Sequence, residues 1–71
     1  MPAIPLSYVE IAADIEARIR SGEYQPDTKL PSYSQLAELY SVSFSTAARA
    51  IALLRDRGLV VGAPGRGVFV K

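Results

Sequence analysis

LVVGAPGRGVFV, residues 59–70, holds two apolar runs rich in β-branched residues, Leu59-Val60-Val61 and Val68-Phe69-Val70. Between them lies GAPGRG, residues 62–67. Two strand-forming runs around a Gly/Pro break read as a β-hairpin. Upstream of Gly58 the period changes. Ala47, Ala50, Ile51 and Leu54 recur at helical spacing behind Ser43, a serine suited to capping, and predict a helix over about 44–57. Before it, Ser41-Val42 is a tight connection. Pro31, Ser32 and Gln35 open a shorter helix, Tyr33 to Tyr40, through a capping box, with Leu36, Ala37 and Tyr40 on its inner face.

The stretch EYQPDTKLP, residues 23–31, is a loop with a short extended piece at Lys29-Leu30. Ser7 and Glu10 form another capping box, opening a first helix from about Tyr8 to Arg20 that Ser21-Gly22 ends. MPAIPL, residues 1–6, is an extended lead-in. The order is therefore helix, helix, tight turn, helix, hairpin. That is a mainly α chain with a small β-hairpin, the winged helix-turn-helix plan, in a single domain spanning 1–71 with the wing at 59–70. The expected core is Tyr8, Ile11, Ile15, Ile19, Leu30, Leu36, Ala47, Ala50, Ile51, Leu54, Leu59 and Val61.

Composition narrows the chemistry. There is no cysteine and no histidine, which removes disulfides, thiolate or imidazole metal sites and the usual nucleophile–base pairs. Neither the phosphate-loop nor the dinucleotide glycine pattern occurs, and no nucleophile, base and oxyanion donor converge. No enzyme activity, cofactor or metal is expected. No apolar run approaches the roughly 18 residues of a membrane span, and the start is not a secretory signal, so a cytoplasmic protein is expected. Net charge is only +1, so any electrostatic case rests on where charges sit. Residues 1–28 carry Glu10, Asp14, Glu16, Glu23 and Asp27 against Arg18 and Arg20, whereas residues 41–71 carry Arg49, Arg55, Arg57, Arg66 and Lys71 against Asp56.

From about Tyr8 to Val70 the chain resembles the amino-terminal DNA-binding domain of the GntR family of bacterial transcription regulators. The resemblance rests on Gly22, Pro26, Leu30-Pro31-Ser32, Leu36-Ala37, Val42-Ser43, Ala50, Leu54, Gly58-Leu59-Val60 and the wing signature Gly65-Arg66-Gly67-Val68-Phe69-Val70. It implies a bacterial regulator, on the nucleoid, whose third helix lies in the major groove and whose wing lies over flanking backbone or minor groove. It also shows departures. Members of the family commonly carry DNA-contacting arginines at the positions held here by Ser34, Phe44 and Ala48, and a glycine at the position of Asp27. Regulators of this kind usually continue into an effector-binding, dimer-forming domain. This chain ends at Lys71, so no effector pocket is expected within it, whether it is an excised domain or stands alone.

The candidate DNA-binding residues are Ser32, Tyr33, Ser34, Phe44, Ser45, Thr46, Arg49, Arg66 and Gly67. Arg66 is the foremost, because glycine on both sides lets the backbone turn tightly against phosphate or a minor-groove floor. Arg49 either reaches a base edge or phosphate, or is a solvated charge. Ser45 and Thr46 suit DNA contacts and helix caps equally, and Ser32 is at least half explained by capping. Tyr33 and Ser34 offer amides and hydroxyls to a phosphate. Arg55 and Arg57 read as cations complementing the end of the third helix, and Arg18 and Arg20 as partners of neighbouring acids. Phe44 has three explanations: contact with a thymine methyl or base step, packing back on Tyr40, or contact with a protein partner.

The function expected is sequence-specific binding of double-stranded DNA as a transcription regulator, repressing by occlusion of a promoter, with self-association on DNA where a monomer has few base readers. The alternatives are a protein–protein interaction module on the same scaffold and an architectural DNA-binding factor of a mobile element.

Overall fold

A computed structural model describes residues 7–71, so the lead-in expected over 1–6 lies outside them. The described residues form α1 (Tyr8–Arg20), α2 (Tyr33–Tyr40), α3 (Phe44–Asp56), β1 (Val60–Ala63) and β2 (Gly67–Val70). Each helix starts where a serine can satisfy a free amide of the first turn. Ser7 Oγ accepts from Glu10 N at 3.2 Å while Glu10 Oε1 accepts from Ser7 N at 3.1 Å, and Ser32 and Gln35 repeat the arrangement at 3.1 and 2.8 Å. Ser43 Oγ accepts from Thr46 N at 3.1 Å.

The helix ends are equally well satisfied. At the end of α3 the Gly58 amide reaches Arg55 O and the Leu59 amide reaches Leu54 O, each at 3.0 Å, with Gly58 at φ 77°. This is a Schellman ending. It stops α3 at Asp56 with Arg57 as its cap, one residue short of the expected end. The same motif ends α2, where Ser41 takes the left-handed conformation at φ 55° and turns the chain into Ser43 and α3.

α1 and α2 both pack on α3, and α3 on β1. The buried core is Ile11, Ala12 and Ile15 of α1, Leu30, Leu36 of α2, Ala47, Ala50, Ile51 and Leu54 of α3, and Val60 and Val70 of the hairpin. One expectation is overturned here. Val61, placed in the core from sequence, is 48 % exposed, and its neighbour Val60 is buried instead. Successive strand residues face opposite ways, and the antiparallel register pairs Val60 with Val70, so these two share the inner face. Tyr8, Ile19 and Leu59 pack at the edge of the core, half-buried.

The hairpin runs further into GAPGRG than its composition suggests, leaving only Pro64, Gly65 and Arg66 as the turn. Arg66 N donates to Ala63 O at 2.9 Å and Gly65 lies at φ 75°. Proline followed by a positive-φ glycine is the chemistry of a type II turn, which needs left-handed backbone at its third residue. On the other side of β2 the extended piece at Lys29-Leu30 adds a short third rung. Lys29 bridges Phe69, Leu30 N donates to Val68 O at 2.8 Å and Val70 N to Thr28 O at 2.9 Å. The loop thus anchors the wing to the helices. Tyr40 ties α2 to α1, its hydroxyl donating to Asp14 Oδ2 at 2.6 Å.

Candidate nucleic-acid interface

The exposed side of the helix-turn-helix pair carries an aromatic contact at its centre. Phe44, in the first turn of α3, is 57 % exposed and meets Tyr33, at the start of α2, edge to face with ring centroids 5.6 Å apart at 70°. Such pairs hold both rings in a fixed orientation. Tyr40, the partner in one of the three explanations for Phe44, donates its hydroxyl to Asp14 on the α1 side, and the ring that Phe44 meets is that of Tyr33. The loop between α2 and α3 brings the two helix starts together, and so Phe44 finds Tyr33.

The hydroxyls divide between capping and exposure. Ser32 is committed to its capping box. Ser34 is exposed beside it. Ser43 Oγ lies 3.2 Å from Ser45 Oγ and 2.9 Å from Thr46 Oγ1, so these three hydroxyls form one cluster at the start of α3. Ser45 remains exposed and Thr46 is half-buried. Arg49 is exposed, and its guanidinium lies over the Tyr8 ring at the start of α1, 4.3 Å from the centroid.

The wing presents Arg66 at its turn, exposed, with Gly65 and Gly67 both at positive φ (75° and 122°). Gly67 has a second reason to lack a side chain: a Cβ there would stand 2.7 Å from Lys29 Cε. The Lys29 side chain therefore crosses the wing beside Arg66, a neighbour the sequence reading missed. Its signal was the extended piece at Lys29-Leu30, whose pairing partner lies far along the chain. Arg55 lies in the last turn of α3, where a cation complements the helix end as expected. Its guanidinium donates to no carbonyl there among the described residues. Its Nη2 donates instead to Tyr33 Oη at 3.3 Å, and the guanidinium lies against Gly62 of β1. Arg57 turns to α1, pairing with Glu16 at 3.3 Å.

All ion pairs among the described residues gather at α1. Arg18 joins Asp14 at 3.0 Å and Glu23 at 2.6 Å, and Glu16 holds Arg20 at 2.9 Å as well as Arg57. Lys29, Arg49, Arg55, Arg66 and Lys71 are left without an acid partner among the described residues. These unpaired cations lie on α3, on the wing and its end, and on the loop that braces it, which also hold the unpaired acids Asp56 and Asp27.

Residues 7–70 match the family model described as bacterial regulatory proteins, gntR family. The chain belongs to the gntR family. Among curated members it is 39 % identical over 67 residues to the HTH-type transcriptional repressor NagR of Bacillus subtilis, covering 94 % of this chain and 27 % of that protein. It is 35 % identical over 63 residues to the histidine utilization repressor of Klebsiella aerogenes, covering 89 % of this chain and 26 % of that one. The chain therefore spans only these fractions of its longer gntR-family relatives. Among solved structures, the DNA-binding domain of AraR in complex with an operator superposes with a TM-score of 0.88 at 31 % identity, over 100 % of this chain and 93 % of that one. Among the described residues no helix is long and apolar enough to cross a membrane.

Proposed function

We propose that the chain is a sequence-specific double-stranded-DNA-binding transcription regulator that represses by occluding a promoter. Residues 1–71 act as one DNA-binding unit. α3 enters the major groove through Phe44, Ser45, Thr46 and Arg49, the start of α2 with Ser32, Tyr33 and Ser34 meets a phosphate, and Arg66 with Gly67 follows the flanking minor groove or backbone. The observation that carries this reading is the partition of charge: the acids of α1 consume Arg18, Arg20 and Arg57, while the cations of the loop, α3 and the wing stay unpaired. A polyanion is the partner such a surface attracts. The likeness to AraR domains on operator DNA supports the same reading. A monomer with so few base readers gains specificity by self-association on adjacent sites, in the cytoplasm on the nucleoid, and no catalytic step is involved.

Titration of the chain against random duplex DNA at low and moderate salt, beside Arg66→Ala, tests the proposal. Binding that weakens with salt and drops further without Arg66 is the expected result. No binding at low salt would defeat the proposal and turn attention to the Phe44 face as a protein contact.

A further inference from the structure

Phe44, Ala48 and Arg55 fall at i, i+4 and i+11 on α3, one stripe of the helix, and that stripe faces Tyr33 and the wing. Between the stripe and the wing runs an open groove of about 640 Å³, lined among others by Tyr33, Arg55, Val61, Gly62, Pro64 and Lys71. No acid lines it. Arg55 lines it, its Nη2 donating to the Tyr33 hydroxyl at 3.3 Å and its guanidinium lying near Gly62. A Cβ on Gly62 would stand 3.5 Å from Arg55 Nη2 and 3.7 Å from Nε, ordinary contact distances, so the guanidinium lies alongside Gly62.

Three ordinary uses do not occupy the Arg55 guanidinium. It donates to no carbonyl at the end of α3 among the described residues, where the amides of Gly58 and Leu59 take Arg55 O and Leu54 O. Arg55 has no ion-pair partner among the described residues, unlike Arg57 two positions on, which pairs with Glu16. It is exposed, so it fills no core. One hydrogen bond to a neutral phenol orients the guanidinium but leaves most of its N–H fork open, which suits a phosphate.

We propose that Arg55 is a DNA-phosphate contact, oriented by the Tyr33 hydroxyl beside Gly62 in the groove between α3 and the wing. The proposal rests on the DNA-binding reading above. If the start of α3 meets base edges, Arg55 lies about 16 Å further along the helix, where the chain of phosphates passes from the major groove toward the wing. Lys71, on the same groove, adds to the field without being oriented.

The test is a salt series on random duplex DNA with the parent chain, Arg55→Gln, Arg55→Lys and Tyr33→Phe. Arg55→Gln is expected to weaken binding about tenfold at low salt and to flatten the plot of log affinity against log salt by about one unit. Arg55→Lys should keep the parent slope. Tyr33→Phe, which keeps the charge and loses its anchor, should keep the slope with a smaller loss of affinity. An unchanged slope for Arg55→Gln overturns the assignment, and a lowered melting temperature with that unchanged slope reveals a structural role instead. Parent binding that falls with Arg66→Ala but not with Arg55→Gln overturns this proposal alone. Absence of parent binding overturns both.

Discussion

Phe44 occupies a position where a charged side chain would be the simpler way to hold DNA. More than half of its surface faces solvent, and its ring meets that of Tyr33 edge to face. An aromatic held at a fixed angle at the start of α3 is suited to an apolar feature in the major groove, and the 5-methyl of thymine is the one the duplex offers. In a selected binding site, replacing the contacted thymine by uracil is expected to cost about 0.8 kcal/mol, about fourfold in affinity. Phe44→Ala should bind the thymine and uracil sites equally. A parent chain that ignores the exchange at every thymine of its site would leave Phe44 to the protein-contact explanation. The exposure of this ring followed from its place in a polar, serine-rich helix start. Its partner did not, because the meeting of residues 33 and 44 depends on the backbone path through the left-handed Ser41, which local spacing does not encode.

At the scale of elements, what is local was legible and what is long-range was not. Capping serines, and the glycines at 22 and 58, act within one turn, so the helix limits could be read to within a residue. The wing strands were legible as strands, but three apolar residues in a row, Leu59-Val60-Val61, do not say which face is inward. The Tyr40–Asp14 bond between α2 and α1 was hidden for the same reason. It makes those two helices pH-sensitive. The Tyr40 hydroxyl, and after it Arg18, hold the Asp14 carboxyl below its ordinary value against a smaller opposing effect of burial. Burial first and Asp14 second push the Tyr40 hydroxyl up. A lowered carboxyl stabilises the fold above its unfolded pKa, about 4, and that contribution disappears as pH falls through the lowered folded value. A raised phenol stabilises below its unfolded pKa, about 10, and that part is lost as pH rises through the raised folded value. Because Asp14 is half exposed, Tyr40→Phe should cost about 1 kcal/mol or less near neutral pH. The gap in urea midpoints between parent and variant should narrow as pH is lowered from neutral to below about 4, the unfolded carboxyl value. A gap that stays constant over that range would show that the bond to ionised Asp14 contributes nothing.

Over the whole molecule the net charge of +1 conceals two unlike sides. The sequence showed a basic second half, yet Arg57 belongs to that half and is paired to α1, while Lys29 belongs to the first and stands at the wing. Folding, not position along the chain, decides which cations are available. Only unpaired cations exchange counterions for phosphates without first breaking a contact, so the salt dependence of DNA binding should report the free set alone. Lys29 provides the contrast with Arg20. Its stem crosses Gly67 beside Arg66, whereas Arg20 is held by Glu16 on α1. Lys29→Gln is expected to reduce the salt slope by about one unit and to weaken binding similarly on all sequences. Arg20→Gln carries the same change of formal charge and should leave the slope where it is. Binding isotherms at several salt concentrations for the two variants separate the cases. Equal flattening by both would mean that the protein responds to DNA through its net charge, and the division between a paired and a free side would lose its functional meaning.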